Sequence, residues 1–229
     1  MTQLLVSVRN AHEARTAVEG GAHIIDAKEP NHGALGAVPP AQLADIAAVL
    51  VQHSLPLSVA LGELADKPTI PAGTLRFAKV GLAGCSHIPD WQSQLAGVWI
   101  QLAGSSEPVA VIYADHEAAA APSPNTIIEF AANHDRCQTV LIDTFDKRTG
   151  NIFHHLSSNQ LNSLANRIHS HQMQLAVAGS LDACTIPTAM NCQADIIAVR
   201  GAACESARAS NICKRRVQAL VQLVCKTSA

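Results

Sequence analysis

Three of the six lysines in this chain fall at, or just beyond, the end of an apolar run that predicts a buried strand. Lys28 closes the run I-I-D-A-K, Lys79 lies within F-A-K-V-G-L, and Lys147 follows L-I-D-T-F-D. Burial in an apolar site disfavours the charged form of an amine, so its pKa falls and the neutral form becomes populated. A neutral amine can attack a carbonyl to form a Schiff base, or accept a proton. The lysines therefore predict chemistry on a carbonyl substrate.

Two aspartates accompany these lysines. Asp26 precedes Lys28 by two residues, so both side chains leave the same face of an extended strand, and Asp143 precedes Lys147 by four. A lone lysine at a strand end is commonly a surface residue or a salt-bridge partner, but buried lysines without a partner are rare, and three together favour a site. Lys67 is predicted to be a solvated loop residue. The predicted catalytic set is Asp26, Lys28, Lys79, Asp143 and Lys147.

Two blocks of small residues predict an anion site. The first is A-G-S at 178–180, and the second is V-R-G-A-A at 199–203. Small residues let backbone N–H groups approach an anion closely, and Arg200 could add a forked positive partner. The alternative is that the glycines only form tight turns. The predicted phosphate-binding residues are Gly179, Ser180, Arg200, Gly201 and Ala202.

Short apolar runs alternate with helical or loop stretches along the whole chain. The runs cover 4–8, 24–27, 57–61, 77–81, 109–113, 139–143, 174–179 and 196–199. Such alternation predicts a parallel sheet with crossovers, and eight units predict a closed (β/α)8 TIM barrel as a single domain over 1–229. An open doubly wound sheet is the alternative, but no G-x-G-x-x-G follows the first run. In a barrel, all strand ends meet at one face, which would gather the lysines.

Capping residues and prolines mark the helices between these runs. Asn10 is a plausible N-cap, and Gly20-Gly21 would end the first helix. The segment 62–76 holds Pro68 and Pro71, so the third helix of the barrel is predicted to be shortened or absent. The other predicted helices cover 39–53, 89–104, 123–134, 157–172, a short one near 185–191, and 214–226.

Composition excludes several classes of function. The net charge is -2 and aromatics are 3%, which argues against a nucleic-acid partner. No apolar run reaches membrane-spanning length, and Arg9 interrupts the N-terminus before any signal-length apolar region. The seven cysteines include no C-x-x-C pair, so neither a disulfide framework nor a zinc site is expected. We expect a cytoplasmic protein with no metal, no cofactor and no membrane partner; a homo-oligomer stays open.

Several blocks together resemble one family. They are G-G-A-H-I-I-D-A-K-E-P (20–30), G-A-L-G-A (33–37), A-K-V-G-L (78–82), Y-A-D (113–115), L-I-D-T (141–144), D-K (146–147), L-A-V-A-G-S (175–180) and V-R-G-A-A-C (199–204). In content and order they resemble (5-formylfuran-3-yl)methyl phosphate synthase, over nearly the whole chain. The chain departs from that pattern at 62–76, which is shorter, and after Lys28, where the match is looser.

The resemblance implies a barrel lyase that condenses two glyceraldehyde 3-phosphates. The implied product is 4-(hydroxymethyl)-2-furancarboxaldehyde phosphate, formed with release of phosphate and water, for methanofuran-type one-carbon carriers. Lys28 matches the Schiff-base lysine and Lys79 the proton acceptor. Asp26, Asp143 and Lys147 match the remaining catalytic positions, and Asp115 falls among those that bind substrate.

Two other functions stay open at this point. A class I aldolase or phosphosugar isomerase on the same barrel would need one essential lysine and would release no phosphate. A non-catalytic protein that binds phosphorylated metabolites would be stabilised by its ligand without forming product. Release of inorganic phosphate from glyceraldehyde 3-phosphate separates the proposed lyase from both.

Overall fold

Eight parallel strands pair in chain order, and the last returns to the first to close a barrel. The computed structural model describes residues 1–71, 73, 75–102, 104 and 106–226. The predicted (β/α)8 barrel is confirmed. The strands are β1 Gln3–Val8, β2 Ile24–Ala27, β3 Leu57–Glu63, β4 Phe77–Gly81, β5 Glu107–Tyr113, β6 Thr139–Asp143, β7 Gln174–Val177 and β8 Ile196–Val199.

Helices follow most strands, at the predicted places. The side chain of Asn10 accepts a hydrogen bond from the Glu13 amide, and α1 ends at Gly20, which confirms both predicted caps. The predicted helix at 89–104 ends at Gln101, and its residue 103 lies outside the described residues. The helices are α1 Ala11–Glu19, α2 Pro40–Val51, α3 Trp91–Gln101, α4 Pro124–Ala132, α5 Ser158–Ser170, α6 Ile186–Asn191 and α7 Lys214–Lys226.

The connection between β3 and β4 has no α-helix among its described residues. It contains a single 3-10 turn at Leu64–Asp66, as the prolines at 68 and 71 predicted; residues 72 and 74 lie outside the described part. A cavity of about 530 Å³ lies between α2 and β3, lined mainly by apolar side chains such as those of Leu43, Val59 and Leu61. As far as the described residues show, the outer ring therefore has no helix between β3 and β4.

Apolar side chains fill most of the inside of the barrel. The inward-facing cluster includes Leu5, Ile24, Phe77, Val109 and Ile196, as in other barrels of this kind. Glu107, at the start of β5, is buried beside Thr139, whose Oγ1 donates a hydrogen bond to it. The lysines and aspartates of the predicted catalytic set lie toward the opposite, carboxyl ends of the strands.

None of the helices in the described part combines the length and apolar character needed to cross a bilayer.

Candidate active site

A cavity of about 350 Å³ opens at the carboxyl ends of the strands. All five side chains of the predicted catalytic set line it, together with the two blocks of small residues. These residues come from β2, β4 and β6 and from the segments that follow β6, β7 and β8. The barrel thus brings together residues separated by more than a hundred positions in sequence.

Lys79 and Asp26 form a buried ion pair. The Lys79 Nζ lies 2.5 Å from Asp26 Oδ1, and Asp26 Oδ2 accepts a hydrogen bond of 2.9 Å from Ser7 Oγ. Lys79 is only 5% exposed and Asp26 is fully buried. Burial lowers the pKa of Lys79; Asp26 opposes this shift, and the neighbouring charge of Lys28 adds to it. Lys79 therefore gives up its proton more readily than an exposed lysine does, although Asp26 opposes that loss.

Asp143 is shared by two lysines. Lys28 Nζ lies 3.4 Å from Asp143 Oδ2, and Lys147 Nζ donates to Asp143 Oδ1 and, at 3.0 Å, to Thr144 Oγ1. Burial acts to raise the pKa of Asp143, but the charges of Lys147 and Lys28 outweigh it and lower the pKa. Burial lowers the pKa of Lys147 to about 8, against the opposing effect of Asp143. Asp143 is therefore an anion between two amines, and its charge opposes the loss of a proton from Lys147.

Three amines thus share two carboxylates in one enclosed site. If all three were protonated, one positive charge would have no carboxylate partner. Crowded cations lower one another's pKa, so loss of a proton from one lysine relieves this excess charge. The arrangement suits Schiff-base chemistry, which needs one neutral amine to attack and another to move protons.

Residues of the two blocks of small residues line the same cavity as the lysines. Gly179 and Ser180 both have positive φ, of 92° and 54°, and a 3-10 turn begins at Gly201. No described residue accepts a hydrogen bond from the amides of Ser180, Gly201 or Ala202. Unpaired N–H groups at a tight turn can bind an anion. We call these amides the backbone cradle.

Arg200 has a different role from the one predicted. Its side chain donates to Glu13 and to three carbonyl oxygens, those of Ser7, Arg208 and Ser210. These five bonds use all five N–H groups of a guanidinium. The side chain therefore has no donor left for a phosphate, although the residue lines the cavity.

Asp115, which was predicted to bind substrate, lies outside the lining of the cavity. Its carboxylate accepts hydrogen bonds from the amides of Phe145, at 2.7 Å, and Asp146, at 2.8 Å. These bonds fix the start of the loop that carries Lys147. In this structure Asp115 orders the loop that carries Lys147, and its predicted contact with substrate stays a prediction.

Arg208 and Arg216 line the cavity and were missed by the sequence analysis. Arg208 lies in the polar stretch E-S-A-R-A-S-N, which has no motif to mark it. With these two, six basic side chains line the cavity against three carboxylates, although the whole chain carries a net charge of -2. The excess positive charge favours an anionic ligand.

A second missed feature is a hydrogen-bonded pair inside the barrel. Tyr113 Oη donates to Glu63 Oε1 at 2.6 Å, and Glu63 Oε2 accepts from the Ala83 amide at 2.9 Å. Burial raises the pKa of Glu63 and raises that of Tyr113 well above its usual value. A Cβ on Gly81 would overlap with the carboxylate of Glu63 and the hydroxyl of Tyr113, so glycine leaves room for this pair. The pair ties the end of β3 to β4 and β5, where the outer helix is missing.

Among the described residues, no group of three or more His, Cys, Asp or Glu side chains could hold a metal ion.

Sequence comparison matches nearly the whole chain to one enzyme family. A family model described as 4-HFC-P synthase matches residues 4–221. The chain is 34% identical over 214 residues to (5-formylfuran-3-yl)methyl phosphate synthase of Methanopyrus kandleri, covering 89% of this chain and 90% of that protein. It is 31% identical to the enzyme of that name from Methanococcus maripaludis, covering 97% and 99%, and 30% identical to that of Archaeoglobus fulgidus, also covering 97% and 99%.

Comparison with solved structures supports the fold. Thiamine phosphate pyrophosphorylase from Pyrococcus furiosus matches with a TM-score of 0.61 at 11% identity, covering 100% of this chain and 97% of that one. Phosphoribosylanthranilate isomerase from Thermotoga maritima matches with a TM-score of 0.59 at 12% identity, covering 98% and 99%. At such low identity, these matches bear on the barrel and not on the chemistry.

Proposed function

This chain belongs to the 4-HFC-P synthase family, and we propose that it condenses two glyceraldehyde 3-phosphates through a Schiff base on Lys28. The family places it among the enzymes that make the furan precursor of methanofuran. The observation that carries the mechanism is the cluster of three lysines around two buried carboxylates. The product is (5-formylfuran-3-yl)methyl phosphate, formed with release of phosphate and water.

Lys28 is the best placed nucleophile. Its 3.4 Å contact with Asp143 is the longest of the three ion pairs, so its amine is the least tightly held. Attack on the aldehyde carbon expels water and leaves a protonated imine. Asp143 remains beside this cation and stabilises it. The imine then withdraws electrons from the adjacent carbon, so its C–H bond becomes acidic.

Lys79 is placed to remove that proton. Its amine lies in the same cavity, buried, with a lowered pKa, and Asp26 stabilises the ammonium that forms. The resulting enamine attacks the second aldehyde, which forms the new C–C bond, and phosphate is eliminated from one of the two trioses. Ring closure, loss of water and hydrolysis of the imine then release the aromatic furan aldehyde and regenerate the free amine of Lys28. Carbon is neither oxidised nor reduced overall, so the balance requires no external redox partner.

The backbone cradle supports the choice of phosphorylated substrates. The amides of Ser180, Gly201 and Ala202 lie beside the lysines without protein acceptors. A phosphate ester bound there would hold the sugar carbonyl within the cavity. The proposal also includes a cytoplasmic location, sugar phosphates as the ligands, and no nucleic-acid partner. A homo-oligomer is compatible with it.

The proposed reaction predicts a product that absorbs ultraviolet light. Incubation with glyceraldehyde 3-phosphate should produce ultraviolet absorbance of a conjugated furan aldehyde, the mass of its phosphate ester, and inorganic phosphate. An aldolase or isomerase would convert the substrate without releasing phosphate. A binding protein would show a higher melting temperature and no product. Either of these two results would contradict the proposal.

The pH dependence of turnover provides a second prediction. Both Lys79 and Lys147 have lowered pKa values, that of Lys147 about 8. An amine with a lowered pKa is protonated below that pKa and neutral above it. We therefore expect kcat/KM to rise with pH up to about 8, the pKa of Lys147, and to level off above it. If kcat/KM instead rose with an apparent pKa near 10.5, the pKa of an ordinary lysine, the role of the buried amines would be contradicted. The apparent pKa measured in this way describes the coupled lysines as a group.

A further inference from the structure

The loop at 204–212, between β8 and α7, is fastened by two arginines from outside it. Arg200 donates from Nε to the carbonyl of Arg208 at 2.8 Å and from Nη2 to that of Ser210 at 3.2 Å. Arg9 donates from Nη1 to the carbonyl of Ala209 at 2.8 Å. Three consecutive carbonyl oxygens are thus held by guanidinium groups, so the backbone at the centre of the loop is fixed.

One buried carboxylate orients both arginines. Glu13 is fully buried; its Oε1 accepts from Arg9 Nε at 2.9 Å, and its Oε2 accepts from Arg200 Nη1 at 2.9 Å. Burial acts to raise the pKa of Glu13, but the hydrogen bonds from Arg200 and Arg9 outweigh it and lower the pKa. We call Glu13, Arg9 and Arg200 the arginine clamp. It holds the loop without any contribution from a ligand.

The side chain that this loop presents to the cavity is that of Arg208. Arg208 lines the cavity and is partly buried, and among the described residues no side chain or carbonyl forms a hydrogen bond or ion pair with its guanidinium. Burial lowers its pKa, which Asp143 partly offsets. A partly buried cation without a partner is unfavourable. Its five N–H groups remain available for an anion, in contrast to those of Arg200.

We propose that Arg208 binds a substrate phosphate and forms a second phosphate subsite beside the backbone cradle. This inference rests on the proposed function, in which two phosphorylated molecules must occupy one cavity. The cradle supplies N–H groups for one phosphate, and Arg208 supplies a planar fork that matches the other. The arginine clamp aims that fork, so Glu13 and Arg200 are positioning residues.

The test uses glycerol 3-phosphate, which has a phosphate but no carbonyl and therefore cannot form an imine. Calorimetric titration of the wild-type protein should find two sites per chain. Arg208→Gln should weaken one site about 10- to 100-fold, as expected for loss of charge-assisted hydrogen bonds, and leave the other unchanged. Arg208→Lys should recover part of the loss, because it restores the charge without the fork.

Arg215, three residues beyond the end of this loop, provides a matched control. Arg215→Gln removes the same charge from an exposed position of α7 that does not line the cavity, and it should bind like the wild type. Glu13→Gln should weaken the same site as Arg208→Gln, by a smaller factor. The KM of the reaction should rise in parallel, while saturating triose phosphate should still be trapped on Lys28.

The results distinguish this inference from the proposed function. Equal binding by Arg208→Gln and the wild type, or a single site in the wild type, would overturn the second subsite. If either of these results were found and the wild-type protein still formed the furan, the proposed function would stand without the second subsite. If the wild-type protein formed no furan, the proposed function would be rejected. The titration would still measure whether Arg208 binds a phosphate, because it does not depend on turnover.

Discussion

Lys28→Ala should lose all covalent trapping of a triose phosphate and at least about a thousandfold in turnover. Lys28 provides the only nitrogen on which the proposed imine forms, and alanine provides none. The fold should survive, because Asp143 keeps Lys147 and the Thr144 amide as partners. Loss of activity would then reflect lost chemistry, which equal melting temperatures of variant and wild type would verify.

Borohydride reduction measures this result directly. With glyceraldehyde 3-phosphate present, the wild-type protein should gain the mass of one reduced adduct, located on Lys28 by peptide mapping. Lys67→Ala is the control, since Lys67 is exposed in a loop and its removal should leave trapping unchanged. Full trapping in Lys28→Ala would assign the nucleophile elsewhere, with Lys79 the first candidate.

Lys79→Ala should reduce turnover about 100- to 10,000-fold, the usual contribution of a positioned base, while the adduct on Lys28 still forms. Without this amine, no group in the proposed mechanism removes the proton next to the imine. Exchange of that proton with deuterated solvent should be lost in step with turnover. Near-normal turnover or exchange would refute the role of Lys79 as the base.

A second substitution separates chemistry from folding at this position. Lys79→Ala leaves the buried Asp26 with only Ser7 as a partner, and an uncompensated buried charge is destabilising. Lys79→Arg keeps the positive charge beside Asp26 but cannot release a proton at neutral pH. We expect this variant to be folded, as judged by its melting temperature, and still inactive. An active Lys79→Arg would again exclude Lys79 as the base.

The sequence could predict the barrel because its signals are local. Apolar runs of strand length, capping residues and prolines depend on neighbours a few residues away, so β2, β4, β6 and β8 lie at the predicted residues. The absence of a helix after β3 followed from two prolines. The lysine cluster was predictable for a related reason: in a closed parallel barrel, every strand end meets the same mouth, so position along each strand is enough to bring Lys28, Lys79 and Lys147 together.

The partners of individual side chains were decided only by the tertiary structure. Spacing suggested Arg200 as the phosphate ligand, but its guanidinium is taken by Glu13, which is 187 residues away. Asp115 faces backbone amides of a neighbouring loop, and Arg208 reaches the cavity from a stretch with no motif. A sequence pattern determines on which face a residue lies. Which donors remain free for a ligand depends on contacts between distant segments, and these exist only once the barrel has closed.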